Sequence, residues 1–216
     1  MDLDVTLKAV PLTKENLEYI LNEIISIPTY DKLVMAIVGI DEIHEDADYP
    51  GYRASISVFF DGIKELIKVD FTTGDALTPH EVPFNYHTLL SGKRIELKSY
   101  NLETLLAEKV ETILTRGILN TRMRDYYDVH ILMTIKQASF NDQLFVQAFC
   151  NTSKYRHSFD KIRPIILAIL SSIQADDGLK KRWSSYQKSN PYALEIRFDE
   201  VMSSLKNLII SINSFD

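Results

Sequence analysis

The chain has 216 residues, with 30 acidic and 24 basic side chains and a formal net charge of −6. Its composition, 45% hydrophobic and 25% charged, is typical of a globular protein and excludes a disordered or fibrous chain. The negative charge disfavours a general nucleic-acid coat protein, although a local basic patch could still bind RNA. A single cysteine excludes an intramolecular disulfide, no stretch approaches the roughly 18 apolar residues of a membrane span, and no secretory signal pattern is present. We therefore expect a cytoplasmic protein that is not in a membrane.

The N-terminal segment alternates apolar and polar side chains, which predicts a β-strand. Leu3, Val5 and Leu7 face one side of this strand, whereas Asp2 and Asp4 share the other, about 7 Å apart along the backbone. Two carboxylates at this spacing repel each other unless a cation lies between them, and Mg²⁺ is the usual partner. The alternative is a solvated strand face without a function.

Strands dominate the first half of the sequence and helices the second, which predicts an α+β fold. The predicted strands cover 1–8, 32–43, 52–60, 66–71 and 93–98, with a hairpin turn at Asp61-Gly62. We expect residues 44–51 to form an acidic turn and residues 72–92 to form a long irregular loop. The predicted helices follow Thr13, as N-cap, and lie near 102–116, 122–136, 141–150, 158–174, 177–188 and 198–212. A soft boundary near residue 100 separates a sheet domain, 1–100, from a helical domain, 101–216.

The strand at 66–71 offers a third acidic residue. Asp70 and Lys68 share one face of this strand, and Val69 and Phe71 point to the other. A carboxylate on a neighbouring antiparallel strand would complete a metal-binding set. The alternative is a polar residue on a half-exposed sheet.

The helix near 102–116 carries a lysine in its apolar stripe. Lys109 falls in the middle of this stripe and Arg116 joins it one heptad later, whereas the glutamates lie mostly off it. The stripe consists of Leu102, Leu105, Leu106, Val110 and Ile113, and the glutamates are Glu103, Glu108 and Glu111. A lysine in an apolar stripe either snorkels to solvent or binds an anion.

The next helix places Asp125 and Asp128 on or beside its own apolar arc. Acids and bases facing each other between two helices could form a structural salt-bridge lattice. The functional alternative is that Lys109 binds a phosphate, which Asp125 or Asp128 helps to orient. Arg116, Arg122 and Arg124 would then form a positive rim. We expect the side chain of Trp183, on a later helix, to pack inside the protein.

Four short motifs, in this order, resemble the nucleotidyltransferase-like AbiEii/AbiGii toxins, the toxin half of a bacterial abortive-infection toxin–antitoxin pair. They are Asp2-Leu3-Asp4, Lys68-Val69-Asp70, Leu105-Leu106-Ala107-Glu108-Lys109 and Arg124-Asp125-Tyr126-Tyr127-Asp128. The segments Trp183 to Tyr186 and Phe198-Asp199-Glu200 also resemble the C-terminal end of the family. The resemblance spans essentially the whole chain.

The resemblance implies a polymerase-β-like nucleotidyltransferase fold, with a mixed sheet in the N-terminal half and helices in the C-terminal half. It implies Mg²⁺, a nucleoside triphosphate substrate such as GTP, a tRNA-like RNA or a protein as acceptor, and a cognate antitoxin as partner. By position it assigns the metal to Asp2, Asp4 and Asp70, and catalysis to Asp70, Lys109, Asp125 and Asp128. It assigns triphosphate binding to Lys109, Arg116 and Arg124.

One departure from the family concerns the N-terminus. The family places a helix with a Gly-Gly or Gly-Ser turn before the Asp-x-Asp strand, where backbone N–H groups cradle phosphates. Met1 stands directly before Asp2 here, so we expect that segment to be absent: either the reading frame begins late, or the chain is a natural remnant that is inactive as truncated. The alternatives are a non-catalytic partner-binding protein of a toxin–antitoxin system, and an unrelated α+β domain whose paired charges are structural.

Overall fold

The computed structural model describes residues 2–29, 33–43, 51–73, 76–89 and 91–214, except for the side chains of Asp2 and Gln137. The chain divides into two compact units, Met1–Asp75 and Ala76–Asp216. This division lies before the soft boundary near residue 100 that the sequence indicates. Residues 44–50 of the predicted acidic turn lie outside the described residues.

The first unit combines a mixed sheet with a helix. Its described elements are β1 Asp2–Leu7, α1 Lys14–Ile25, β2 Val34–Ile43, β3 Gly51–Phe60 and β4 Ile63–Thr73. The strand order is β1-β4-β3-β2, in which β1 runs parallel to β4 and the other neighbours are antiparallel. The predicted mixed sheet is therefore confirmed. The expectation that Asp70 lies antiparallel to the first strand is wrong, because β1 pairs with β4 in the parallel sense.

Local sequence signals explain where α1 begins and where the chain turns from β3 to β4. The Thr13 hydroxyl accepts a hydrogen bond from the Asn16 N–H at 3.2 Å and begins α1, as predicted. Asp61 and Gly62 have φ angles of 47° and 82°, the left-handed conformation that a two-residue hairpin turn requires. The core of this unit packs one face of the sheet against α1. Its buried residues are Leu17, Leu21, Ile40, Ala54, Ile56, Val69 and Phe71.

The second unit contains a two-stranded hairpin followed by helices. Its strands are β5 Val82–His87 and β6 Arg94–Ser99, which pair antiparallel. The helices within its described residues are α2 Leu102–Arg116, α3 Met123–Lys136, α4 Asp142–Tyr155, α5 Phe159–Ile162, α6 Ile166–Ala175, α7 Asp177–Ser189 and α8 Phe198–Asn213. The structure thus confirms the α+β class with a helical C-terminal half.

Two sequence predictions for the second unit are wrong. Residues 72–92 are not one irregular loop, because Val82–His87 forms a strand whose alternation Pro83 obscured. The helix predicted over 158–174 is interrupted by a 3₁₀ turn at Arg163–Ile165. Pro164 lies in this turn, and it lacks the N–H that a continuous α-helix would need.

The helices of the second unit surround an apolar core. Tyr126, Phe145, Phe149 and Trp183 are its largest buried side chains, each at most 2% exposed. Burial on this scale supplies the main favourable free energy of folding. No helix within the described ranges has the length and apolar character that a membrane span requires.

Candidate functional site

Four charged residues form a row across the sheet of the first unit. The cross-strand register pairs Asp4 with Asp70, Asp70 with Arg53, and Arg53 with Asp41. Register partners point to the same face of a sheet. Val69, next to Asp70, is 6% exposed and belongs to the core on the opposite face. The row therefore lies on the face away from the α1 core.

Asp70 is held by Arg53 through two parallel hydrogen bonds. Arg53 Nε donates to Asp70 Oδ1 at 2.7 Å, and Nη2 donates to Oδ2 at 2.6 Å. Bidentate guanidinium–carboxylate pairs fix the carboxylate plane as well as its position. The Asp70 side chain is 14% exposed and the Arg53 side chain 39%. Arg53 thus positions Asp70, a contact that sequence reasoning did not anticipate.

The predicted metal ligands fit a divalent cation in part. Asp4 and Asp70 are register partners on one face, and carboxylate oxygens are the ligands that Mg²⁺ prefers. Each carboxylate oxygen has two lone-pair positions, so the bonds from Arg53 leave one on each oxygen of Asp70. The Asp2 side chain lies outside the described part of the chain. Among the described residues, no group of three or more His, Cys, Asp or Glu side chains is arranged to hold a metal ion. The three-carboxylate set stays a prediction.

The second unit brings three predicted site residues together between α2 and α3. Lys109 Nζ lies 2.7 Å from Asp128 Oδ2 and 3.5 Å from Asp125 Oδ1. The side chains of Lys109, Asp125 and Asp128 are 17%, 5% and 24% exposed. Lys109 therefore finds its counter-charges within the protein, and its side chain remains partly exposed to solvent.

Two arginines lie beside the carboxylates that contact Lys109. Arg122 Nε lies 2.8 Å from Asp125 Oδ2, in an ion pair without the alignment of a hydrogen bond. Arg124 Nε lies 4.0 Å from Asp128 Oδ2, and its side chain is 78% exposed. Each carboxylate thus lies between Lys109 and an arginine. Arg116, the remaining predicted rim residue, occupies the last turn of α2. We call Lys109, Arg122, Arg124, Asp125 and Asp128 the Lys109 cluster.

Two glutamates of α2 are buried, contrary to the expectation that they lie off the apolar face. Glu103 is 5% exposed and its Oε1 accepts from the backbone N–H of Asn141 at 2.9 Å. Glu111 is 3% exposed and pairs with Arg156 at 2.8 Å. Helical periodicity could not find these contacts, because the partners lie on a different element. Glu108 is half-buried.

A group of tyrosines adjoins Asp128, and sequence reasoning missed it. Tyr127 directly precedes Asp128 in α3, and its ring centroid lies 4.9 Å from that of Tyr192. Tyr186 in α7 stacks on Trp183 at 5.5 Å. Trp183 is buried, as predicted, at 2% exposure. The signals for the group were Tyr127, in the motif that ends in Asp128, and Tyr186, at the end of the segment that begins with Trp183.

Two crystal structures from Helicobacter pylori are similar to this chain. One, described as a "putative nucleotidyltransferase", has 17% sequence identity and a TM-score of 0.41, and the match covers 99% of this chain and 77% of that chain. The other, JHP933, has 18% identity and a TM-score of 0.42, with 99% and 75% covered. Among curated proteins, none matches this sequence.

A family model also matches the sequence over residues 1–204, which contain every predicted site residue. The family is described as "Nucleotidyl transferase AbiEii toxin, Type IV TA system". The match covers nearly the whole chain, so the resemblance that the four motifs carry is confirmed. This protein belongs to the AbiEii nucleotidyltransferase toxin family.

Proposed function

We propose that this toxin transfers a nucleotide from a nucleoside triphosphate to an RNA, such as a tRNA, or to a protein acceptor, with Mg²⁺ as cofactor. Membership of the AbiEii family supports nucleotidyl transfer as the reaction class. The observation that carries the proposal is the position of Lys109 between Asp125 and Asp128 with arginines on both sides.

The charge balance of the Lys109 cluster favours an anion. Three cations, Lys109, Arg122 and Arg124, face two carboxylates, Asp125 and Asp128, so the cluster has a formal charge of +1. Each ammonium has three N–H donors, and the two carboxylates accept two of those of Lys109. One donor is left for a phosphate oxygen, and partial burial at 17% exposure strengthens that interaction over one in water.

The two carboxylates give Lys109 a fixed position. Phosphoryl transfer depends mainly on positioning and on stabilising charge on the transferring group. A lysine has a long flexible side chain, and ordering it costs conformational entropy. Because Asp125 and Asp128 order Lys109 before a ligand binds, that cost falls on folding and not on substrate binding. We assign Asp125 and Asp128 this orienting role and Lys109 the contact with the triphosphate.

The first unit supplies carboxylates for the cation. Asp4 and Asp70 would hold Mg²⁺, with Asp2 as the third predicted ligand. A bound Mg²⁺ neutralises charge on the phosphoryl group. Asp70, as the ion-pair partner of Arg53, also carries a negative charge that can accept a hydrogen bond from an attacking hydroxyl group. Arg53 keeps the Asp70 carboxylate in one orientation for either task.

Calorimetric titration of the purified chain with GTP and ATP, with and without Mg²⁺, tests this proposal. We expect magnesium-dependent binding that Asp4→Ala removes and Lys109→Ala weakens at least tenfold, as loss of a charged hydrogen bond predicts. Glu65→Ala and Lys206→Ala are the matched controls, because both side chains are exposed and lie on a strand and a helix.

Three results would count against the proposal. Unchanged affinity in Lys109→Ala would remove the phosphate-binding role. Unfolding of Lys109→Ala, measured by thermal denaturation, would show that the cluster is a structural salt-bridge lattice. Binding of neither triphosphate to the unmodified chain would favour the alternative, a non-catalytic partner-binding protein.

A further inference from the structure

Three tyrosines form a cluster in the second unit beside Asp128. The rings of Tyr127 and Tyr192 lie 4.9 Å apart, Tyr127 and Tyr186 lie 6.3 Å apart, and Tyr186 and Tyr192 lie 6.4 Å apart, between centroids. Tyr127 and Tyr186 are half-buried, whereas Tyr192 is 57% exposed. The cluster thus presents one aromatic ring to solvent and supports it with two others.

Hydrogen bonds hold the exposed ring in place. The Tyr192 hydroxyl donates to Asn190 Oδ1 at 2.9 Å, which uses its single proton. The Tyr186 hydroxyl, 3.0 Å away, must therefore donate to the Tyr192 oxygen. Asn190 Nδ2 donates in turn to the backbone carbonyl of Tyr186 at 2.8 Å. An exposed ring with a fixed hydroxyl loses little conformational entropy when a ligand contacts it.

The segment that carries Tyr192 is fastened to α7. Gln187 Nε2 lies 3.0 Å from the backbone carbonyl oxygens of Ala193, Leu194 and Ile196. Trp183 Nε1 donates to the same Ile196 carbonyl at 3.1 Å. These hydrogen bonds hold the backbone next to Tyr192 against α7, whereas the backbone of an open loop would have no such support.

The tyrosine cluster adjoins the Lys109 cluster. Burial raises the pKa of Tyr186 well above its usual value, and the hydrogen bond to Tyr192, the charge of Tyr192 and then the charge of Asp128 raise it further. The phenol of Tyr186 therefore keeps its proton at physiological pH and continues to donate to Tyr192. Tyr127 directly precedes Asp128 in α3 and its ring contacts both Tyr192 and Tyr186, so the tyrosine cluster and the carboxylate that Lys109 contacts share one turn of this helix.

We propose that Tyr192, supported by Tyr127 and Tyr186, is a stacking platform for a nucleobase. Nucleotide-binding surfaces combine cations for phosphate with aromatic rings for the base, and the Lys109 cluster and the tyrosine cluster provide these two parts side by side. The inference rests on the proposed function and deepens it by assigning the base a place. Stacking accepts every base because each has a π-face, so we expect weak base preference.

The nucleobase could come from the nucleoside triphosphate or from the single-stranded end of an RNA acceptor. Equilibrium binding to the full chain separates these sources with four probes: GTP, ATP, inorganic tripolyphosphate and a short single-stranded oligoribonucleotide without a triphosphate. The variants are Tyr192→Ala, which removes the ring, and Tyr192→Trp, which restores an aromatic surface. Tyr19→Ala is the matched control, because Tyr19 is 68% exposed and lies on α1 in the first unit.

We expect Tyr192→Ala to weaken binding of a base-containing probe by about 5-fold to 100-fold, the range of base–aromatic stacking. Binding of tripolyphosphate should not change, and Tyr192→Trp should restore the affinity. A loss for GTP and ATP alone assigns the base to the triphosphate, and a loss for the oligoribonucleotide alone assigns it to the acceptor. Thermal denaturation verifies that each variant is folded, and the fluorescence of Trp183, the single tryptophan, verifies it for Tyr192→Ala.

Other results overturn the inference. If Tyr192→Ala binds all base-containing probes like the unmodified chain while Lys109→Ala weakens tripolyphosphate binding, stacking is wrong and the proposed function stands. An equal loss for all four probes, tripolyphosphate included, contradicts stacking as well. If the unmodified chain binds none of the probes, the inference and the proposed function both fail.

Discussion

Glu111 links α2 to the segment that follows α4. Its Oε2 accepts from Arg156 Nη1 at 2.8 Å, and its Oε1 accepts from Ser158 Oγ at 2.6 Å and Thr115 Oγ1 at 2.8 Å. A buried carboxylate is stable in a protein only when its oxygens are satisfied in this way. Glu111 is therefore a structural residue, although it lies only two positions from Lys109 in sequence.

Replacing Glu111 with alanine should lower the free energy of unfolding by about 3 kcal/mol, because breaking a buried ion pair leaves the other charge uncompensated. Glu111→Gln should lose less, since an amide still accepts from Ser158 or Thr115. Urea denaturation followed by circular dichroism measures both. The exposed Glu195 is the matched control, and Glu195→Ala should stay within about 0.5 kcal/mol of the unmodified chain. Equal stability of Glu111→Ala and Glu195→Ala would contradict this account.

At the residue scale, the sequence predicted those side-chain positions that depend on a single helix or strand. Helical periodicity located Lys109 in the stripe of α2 and Asp125 and Asp128 on α3, and the structure places these side chains in contact. It did not predict the pairing of Arg53 with Asp70, although the two-residue turn at Asp61-Gly62 fixes the register between β3 and β4 and so places these residues opposite each other. The partners of Glu111 were not predicted because they follow α4, a different helix.

At the scale of elements, the N-terminus of α2 is tied to the segment before β5. Asn101 Oδ1 accepts from the Thr104 N–H at 2.9 Å as the N-cap, and Asn101 Nδ2 donates to the Thr78 carbonyl at 2.7 Å. Thr104 Oγ1 lies 3.2 Å from the same carbonyl and accepts from the Thr78 N–H at 3.1 Å. The start of the helix that carries Lys109 is thereby fixed.

Two substitutions separate these contributions of Asn101. Asn101→Ser keeps a capping acceptor and loses the amide donor to Thr78, whereas Asn101→Ala loses both. We expect Asn101→Ala to destabilise the chain by about 1–2 kcal/mol and Asn101→Ser by less, measured as urea midpoints. If Asn101→Ser is as destabilised as Asn101→Ala, the cap contributes little and the bond to Thr78 dominates.

Most elements were predictable because their signals are local. The N-cap at Thr13, the hairpin turn at Asp61-Gly62 and the bounds of α2 follow from sequence patterns alone. Turn signals predict pairing only between consecutive strands. They could not predict the parallel pairing of β1 with β4, because these strands are distant in sequence. The strand Val82–His87 was missed because a proline stands second in it.

At the scale of the whole molecule, the chain consists of two units with different contributions. Met1–Asp75 carries the row of Asp4, Asp70, Arg53 and Asp41 on its sheet, and Ala76–Asp216 carries the Lys109 cluster and the tyrosine cluster. The four motifs identified the family over nearly the full length, which composition and charge alone could not do.

The most direct test of the account is transfer of label from nucleoside triphosphates radiolabelled at the α-phosphate to a pool of cellular RNA and protein. We predict that the unmodified chain labels one class of acceptor in the presence of Mg²⁺, and that Asp4→Ala and Lys109→Ala reduce the rate at least a hundredfold. The controls Glu65→Ala and Lys206→Ala should retain the full rate. No labelling by the unmodified chain, or labelling that survives both substitutions, would contradict nucleotidyl transfer by these residues.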